Sequence, residues 1–156
     1  MEEDSVFKKI MVCLDGSSLA EQVLPYAADL ALRLGCKLVL LQVIDVPSTI
    51  YTPGQVTGKT HWLERIQKEE ATSETYLESV SLPLQERGLD VESVTLQGIA
   101  SETIVSYARE NEVDLIAITT HARRNLGRLV FGSVADFILR ESGLPTFSIK
   151  PQHTQT

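Results

Sequence analysis

The hydrophobic positions of the chain form short apolar runs, separated by longer stretches in which apolar residues recur at helical spacing. The short runs have the length of strands and predict five of them: Lys8 to Leu14, Lys37 to Ile44, Val91 to Leu96, Asp114 to Thr119 and Pro145 to Lys150. The first two runs are nearly continuous rather than alternating, which is typical of strands covered on both faces by helices. The pattern therefore predicts a buried sheet between two layers of helix.

The stretches between these runs predict four helices. The first ends at Gly35, the next two run from about Trp62 to Arg87 and from Ser101 to Asn111, and the last stops near Gly143. Ser17 or Ser18 can cap the first helix, and Pro25 either bends it or marks its effective start. The segment Val46 to Lys59 contains two Pro and two Gly, and it is predicted to be a surface loop.

Strands and helices alternate along the chain, and right-handed crossovers then favour a parallel sheet with helices on both faces. A length of 156 residues suits one domain, which we expect to span residues 1–156. In such a sheet a ligand binds outside the carboxyl ends of the strands, where the strand order reverses. If the first and fourth strands flank that point, Asp15 faces the loop from Thr119 to Ser133.

Composition narrows the range of partners. The formal net charge of −7 and the pI near 4.9 argue against a nucleic-acid surface, which needs clustered Lys and Arg. No apolar stretch approaches the roughly 18 to 20 residues of a membrane helix, and the acidic start Met1 to Asp4 differs from a basic secretory signal. We therefore expect a cytoplasmic protein without nucleic-acid or membrane partners. Cys13 and Cys36 lack CxxC spacing and are predicted to be structural thiols.

The segment between the fourth strand and the last helix is the clearest candidate for a functional site. Ala117 to Asn125 joins the end of a buried strand to a basic loop, and Gly132 and Ser133 precede the helical repeat. The first N–H groups of a helix have no partner within it, and the positive end of the helix dipole lies beside them. The passage therefore predicts a site for phosphate or another anion.

Each polar residue near this site also has a structural interpretation. Asp15 can accept hydrogen bonds from a ribose, or it can form a turn with its own backbone. Ser133 can hold phosphate or cap the helix, and His121 can touch phosphate or bond the loop backbone. Three arginines of the loop either contact phosphate or are solvated, and these are Arg123, Arg124 and Arg128. The residues alone leave these alternatives open.

The sequence contains none of the common catalytic motifs that would indicate an enzyme. Neither GxGxxG nor GxSxG occurs, and three residues separate Gly54 from Gly58 where a Walker A loop needs four. His and carboxylate residues do not occur at metal-ligand spacing, and no general base aimed at a γ-phosphate is evident. We therefore expect a binding protein that hydrolyses ATP weakly at most.

Three segments resemble the universal stress protein family, and together they cover nearly the whole chain. They are Ile10 to Ser17, similar to an opening strand ending in Asp-Gly-Ser, then Gly98 to Ala100, and then Thr120 to Arg123 followed by Gly132 to Ala135. The resemblance implies a single Rossmann-like domain of the adenine nucleotide alpha hydrolase type. Its five-stranded parallel sheet would have the order 3-2-1-4-5, with helices on both faces. The implied function is a stress-response binding and signalling module with an adenine-nucleotide crevice between the first and fourth strands.

The resemblance also assigns residues to that crevice. It implies that Asp15 faces the adenosine half and that the backbone at Val43 meets the adenine edge. It implies that Gly132, Ser133 and Val134 hold phosphates at the helix start. The resemblance places further residues in the crevice, namely Cys13, Ile118, Thr119, His121 and Ala122. The implied ligand is ATP or AMP, with Mg²⁺ as an optional companion ion.

Two positions depart from the family pattern of nucleotide binders, which is Gly, two residues, Gly, nine residues, then Gly with Ser or Thr. Those positions here are Thr119, Ala122, Gly132 and Ser133, so only the final pair matches. Gly allows close approach to phosphate or a positive φ, where a Cβ costs about 1–2 kcal/mol. The alternative function is therefore a dimeric interaction module in which Thr119 and Ala122 close the phosphate loop. For both functions the resemblance implies a homodimer through Thr146 to Ile149.

Overall fold

The computed structural model describes residues 5–46, 59–120 and 132–152 of the chain. Within them, five strands form one parallel sheet in the order β3-β2-β1-β4-β5, which confirms the predicted order. The strands are β1 (Lys9–Leu14), β2 (Lys37–Asp45), β3 (Val91–Gly98), β4 (Leu115–Thr119) and β5 (Thr146–Ile149). The helices are a 3₁₀ helix (Ala20–Val23), α1 (Leu24–Leu34), α2 (Lys59–Glu86), α3 (Ala100–Glu110) and α4 (Ser133–Glu141).

Alternate residues of the central strands pack into two hydrophobic cores, one on each face of the sheet. Ile10 and Val12 of β1 belong to the core that also contains residues of α1 and α2. Met11 and Cys13 belong to the core that also contains residues of α3 and α4. We call these the α1/α2 face and the α3/α4 face. Because both faces of β1 are buried, no polar alternation is required, and this explains the continuous apolar run.

A carboxylate holds the amino ends of β1 and β4 together. Asp114, just before β4, accepts hydrogen bonds from the backbone N–H groups of Lys8 and Lys9, each at 2.8 Å. The N–H of Asp114 in turn donates to the carbonyl of Lys9 at 3.0 Å. Hydrogen bonds to a charged acceptor are stronger than neutral ones, so this clamp sets the pairing of β1 with β4.

The chain leaves β1 through a turn and a 3₁₀ helix before α1 begins. The hydroxyl of Ser17 accepts a hydrogen bond from the N–H of Ala20 at 3.1 Å. The N-cap of the 3₁₀ helix is Leu19 and that of α1 is Val23, so neither Ser17 nor Ser18 is the helix cap that was predicted. Pro25 lies in the first turn of α1, where its missing N–H is not needed. Pro25 therefore marks the start of the α-helix, and Gly35 ends it with φ 66°.

Most element boundaries agree with their predictions to within about one residue, and the larger differences are at the start of α2 and the end of β3. Helix α2 begins at Lys59 rather than near Trp62, so Lys59 belongs to the helix and not to the predicted loop. The rest of that predicted loop, residues 47–58, lies outside the described residues. Strand β3 continues to Gly98, two residues beyond the predicted end, because Gly98 still pairs with Asp45 of β2.

Both cysteines lie in the interior of the fold. Cys13 and Cys36 are both free and buried, and the thiol of Cys36 donates to the carbonyl of Phe7 at 3.0 Å. Both are therefore structural thiols, as predicted.

None of the helices within the three described ranges is long and apolar enough to cross a membrane.

Removing the carboxylate of Asp114 is expected to destabilise the fold. Asp114→Ala should lower the free energy of unfolding by about 2–3 kcal/mol, because two backbone amides lose a charged acceptor. Urea denaturation followed by circular dichroism measures this change. Glu110→Ala, which removes an exposed carboxylate nearby, is the control and should change stability by about 0.5 kcal/mol or less. Equal stability of the two variants would contradict the proposed clamp.

Candidate functional site

The candidate site is the carboxyl edge of the sheet between β1 and β4. Cys13 pairs with Ile118 at this edge, and each strand ends one residue later, at Leu14 and Thr119. Strand β1 is followed by α1 and then β2 on one side, whereas β4 is followed by α4 and then β5 on the other. The strand order therefore reverses between β1 and β4, and connections that diverge in this way open a ligand crevice.

Asp15 forms the turn that leaves β1. One carboxylate oxygen, Oδ1, accepts a hydrogen bond from the N–H of Ser17 at 2.9 Å, and the Asp15 side chain is exposed. Gly16 between them has φ 84°, a conformation that side-chain-bearing residues rarely adopt. Asp15 therefore does act as a turn former, as one of the two interpretations predicted. A carboxylate can accept several hydrogen bonds, so this turn is compatible with a further contact to a ligand.

Four apolar residues assigned to the crevice share the α3/α4 face. Cys13 and Ile118 are buried in the core of that face. Val43 of β2 and Val134 of α4 are half-buried and pack against the same core. Burial raises the pKa of the Cys13 thiol to about 12, so this side chain is neutral and apolar in the physiological range. The four residues supply an apolar wall below the edge of the sheet.

Helix α4 begins at this edge with a glycine cap. Gly132 is the N-cap, and its carbonyl accepts the N–H of Asp136 at 3.0 Å. Ser133 is the first residue of the helix and is exposed, so the alternative that Ser133 caps the helix is wrong. Because Gly132 has no side chain, it cannot satisfy the first N–H groups of α4 as a Ser or Asp cap would. These groups belong to the part of the helix that favours an anion.

Two threonines end β4, and both have partners inside the fold. Thr119 is 3% exposed, and its hydroxyl donates to the carbonyl of Ala20 at 3.0 Å. Ala20 belongs to the core of the α1/α2 face, so the Thr119 side chain points away from the face on which α4 lies. Thr120 donates through its N–H and its hydroxyl to the carbonyl of Ile149, at 2.8 and 3.1 Å.

A polar contact between Tyr76 and Glu21, which follows the Asp15 turn, was not predicted from the sequence. The hydroxyl of Tyr76 on α2 donates to Oε1 of Glu21 at 2.9 Å. Burial raises the pKa of Tyr76, and the hydrogen bond to Glu21 and the charges of Glu21 and Asp15 raise it further. Tyr76 therefore stays protonated and ties α2 to the 3₁₀ helix that follows the turn. No regular spacing marks this contact, because the two residues are 55 positions apart.

A second buried polar group joins α2 to the sheet. The hydroxyl of Ser73, which is 2% exposed, donates to Oε1 of Gln42 at 2.8 Å and lies 2.9 Å from the hydroxyl of Thr95. All three polar side chains therefore have partners where α2 crosses β2 and β3. This group satisfies buried polar atoms and fixes the position of α2.

The remaining loop residues predicted for the site cannot be placed. His121 and Ala122 lie outside the described residues, as do the three arginines of the same loop. Among the residues that the structure describes, no group of three or more His, Cys, Asp or Glu side chains could hold a metal ion.

The comparisons with known proteins identify the family. The model of the universal stress protein family matches residues 7–150, so the chain belongs to that family. Universal stress protein MJ0531 of Methanocaldococcus jannaschii is 25% identical over 147 residues, which cover 94% of this chain and 84% of the relative. Universal stress protein MJ0577 of the same organism is 25% identical over 159 residues, which cover 96% of this chain and 98% of the relative.

Solved structures agree with this assignment. The structure of MJ0577 has a TM-score of 0.76 at 26% identity, covering 96% of this chain and 99% of that one. The universal stress protein from Archaeoglobus fulgidus in complex with dAMP has a TM-score of 0.62 at 23% identity, covering 93% and 99%. A universal stress protein in complex with cAMP has a TM-score of 0.66 at 19% identity, covering 94% and 98%. These last two likenesses establish the common fold.

The raised pKa of Cys13 predicts a pH-dependent contribution to stability. The unfolded thiol ionises near pH 9 whereas the folded one stays neutral until about pH 12, so its contribution is complete below pH 9 and is lost as the pH rises. The stability difference between the wild type and Cys13→Ala should therefore fall by about 1 kcal/mol from pH 8 to pH 10. Urea denaturation at both values measures it. A difference that does not change with pH would contradict the burial of this thiol.

Proposed function

We propose that the protein is a cytoplasmic binding and signalling module with an adenine-nucleotide crevice between the carboxyl ends of β1 and β4. One observation carries the proposal. The Asp15 turn leaves β1 where the strand order reverses, and α4 packs on the α3/α4 face that also supplies the apolar wall. Because the helix that follows a parallel strand is expected to begin at the carboxyl edge, we infer that the glycine-capped start of α4 lies beside this turn. Apolar surface with a few polar groups at one edge is the usual composition of a small-molecule site.

Each part of the edge suits one part of a nucleotide. The backbone of Val43 would meet the adenine edge, and the carboxylate of Asp15 would accept hydrogen bonds from ribose hydroxyls. The phosphates of ATP or AMP would bind the N–H groups at Gly132, Ser133 and Val134, where the dipole of α4 favours negative charge. The flanking residues assigned to the site are Cys13, Ile118, Thr119, His121 and Ala122. A Mg²⁺ ion would accompany ATP rather than occupy a site of its own.

Relatives of the same fold make an adenine nucleotide the natural candidate. The Archaeoglobus fulgidus protein was solved with dAMP and another universal stress protein with cAMP. Both ligands combine an adenine, a ribose-type sugar and a single phosphate, which match the three parts of the edge. The proposed role is binding, with weak ATP hydrolysis at most, because a nucleotide fold alone does not supply a catalytic base.

The direction of the Thr119 side chain argues against the alternative of a closed phosphate loop. Its hydroxyl bonds the carbonyl of Ala20 on the α1/α2 face, whereas α4 packs on the other face. The methyl and hydroxyl groups of Thr119 therefore do not occupy the space beside the α4 start. Of the two departures from the family pattern, Ala122 is then the one that could still close the phosphate loop.

We also propose that two copies pair through β5, one of the two edge strands of the sheet within the described residues. The carbonyls of Pro145 and Ile149 accept N–H groups of Ile116 and Thr120, so the alternate residues Thr146 and Ser148 direct their backbone groups to the open side. An edge strand of this kind is a template for pairing with a second chain. The ring of Tyr26 packs at a tilt of 41° against Phe147 of β5, with 5.9 Å between the ring centroids, and extends the apolar surface beside this edge.

Nucleotide binding can be tested by calorimetry with AMP and ATP. The wild type should bind at about 1 mM ligand or less, and Asp15→Ala should bind roughly tenfold more weakly because the ribose loses its acceptor. Glu110→Ala, which removes an exposed carboxylate from the far end of α3, should bind like the wild type. Absence of heat from the wild type at millimolar nucleotide would refute the proposed function.

The proposed dimer can be tested by substitutions at one backbone position. Ser148→Pro removes an N–H on the open side of β5 and leaves the pairing with β4 intact, so it should yield a monomer. Ser148→Ala keeps the N–H and should remain a dimer. Sedimentation equilibrium gives the mass of each variant. A dimeric Ser148→Pro variant would show that pairing uses another surface.

A further inference from the structure

A chain of hydrogen bonds runs from the end of β4 to the Asp15 turn. The hydroxyl of Thr119 donates to the carbonyl of Ala20 at 3.0 Å, and both residues are 3% exposed. The N–H of Ala20 donates to the hydroxyl of Ser17 at 3.1 Å. The N–H of Ser17 donates to Oδ1 of Asp15 at 2.9 Å. Three hydrogen bonds therefore connect a buried side chain of β4 with the carboxylate at the end of β1.

The contacts of Ala20 allow these hydrogen bonds to couple the position of Thr119 to that of Ser17. Ala20 is the first residue of the 3₁₀ helix, and Thr119 binds its carbonyl from inside the α1/α2 core. The bond to Thr119 ties the start of the 3₁₀ helix to the end of β4, because the buried Thr119 side chain has little freedom to follow a displaced helix. The hydroxyl of Ser17 then has one position in which it can accept the N–H of Ala20. The position of Ser17 in turn determines which orientation of Asp15 can accept its N–H.

We propose that Thr119 is a positioning residue for the nucleotide site, acting through Ala20 and Ser17 to orient the Asp15 carboxylate. This inference rests on the proposed function for its effect on nucleotide affinity. The side chain of Thr119 acts from the opposite face of the sheet from α4, so its hydroxyl supports the Asp15 turn and does not bind the ligand. Replacing it by Gly therefore weakens binding, whereas a blocking role would require the same change to strengthen binding.

Other contacts of the 3₁₀ helix provide a matched control. The side chain of Gln22 bonds the backbone of Gln152 twice, donating through Nε2 to its carbonyl and accepting its N–H through Oε1, both at 2.8 Å. Gln22→Ala frees the same short helix from a different neighbour and leaves the Asp15 chain unbroken. A general loosening of the helix is thereby separated from the loss of the Thr119 hydrogen bond.

The experiment compares Thr119→Val, which has nearly the same shape but no hydroxyl, with Thr119→Ser, which keeps it. Amide hydrogen exchange of Ser17 and Ala20 is measured by NMR in the ligand-free proteins, and AMP affinity by calorimetry. Thr119→Val should speed both exchange rates and weaken AMP binding by up to about tenfold, since the hydrogen bond that ties the start of the 3₁₀ helix to β4 is lost. Thr119→Ser and Gln22→Ala should keep the wild-type rates and affinity. Thr119→Ala takes the place of the valine variant if that one does not fold.

Each outcome bears on the inference separately from the proposed function. If the wild type binds no AMP, the proposed function fails, and the exchange rates alone decide whether Thr119 orients the turn. Unchanged exchange at Ser17 and Ala20 in Thr119→Val would overturn the inference. Faster exchange with wild-type AMP affinity would overturn the positioning role, as would tighter binding by Thr119→Gly. If Thr119→Val and Gln22→Ala lose the same AMP affinity and the same exchange protection, Thr119 supports the fold in general and does not specifically orient Asp15, which would also overturn the inference.

Discussion

The candidate site depends on one constraint, the parallel pairing of β1 with β2 on one side and β4 on the other. This pairing sends the chain after β1 into the 3₁₀ helix and α1 on one face, and the chain after β4 into α4 on the other. In parallel sheets of this kind, a ligand crevice is expected where two such connections diverge. The Asp114 clamp supports the arrangement from the amino edge, where it holds β1 and β4 in register.

Most of the fold could be predicted because its determinants are local and repetitive. Five runs predict five strands, and burial on both faces of the sheet accounts for the continuous apolar runs of β1 and β2. The boundaries that were missed have equally local causes. Lys59 and Thr60 extend α2 with polar residues that carry no apolar periodicity, and Gly132 caps α4 although Ser133 is the better capping residue by composition.

The site could be predicted only in part, because its hydrogen bonds join residues far apart in the sequence. The Asp15 turn was one of the two interpretations of Asp-Gly-Ser, because Asx turns are formed by residues that are neighbours in the sequence. The bond of Thr119 to Ala20 spans 99 positions, and no spacing rule indicates it. Alternation along β4 does carry a weaker signal. Ile116 and Ile118 face one core and Ala117 faces the other, which places Thr119 on the side of Ala117.

The most direct test of the account is to map where AMP binds, by following backbone amide chemical shifts of the wild-type protein during a titration. The account predicts that the largest shifts occur together at Asp15, at Val43 and at the start of α4, and that they saturate with one ligand per chain. Shifts centred elsewhere, for example on the surface groove that Glu74, Glu78 and Ser93 line between α2 and β3, would contradict it. So would a titration that leaves the amides of Asp15 and Ser133 unchanged.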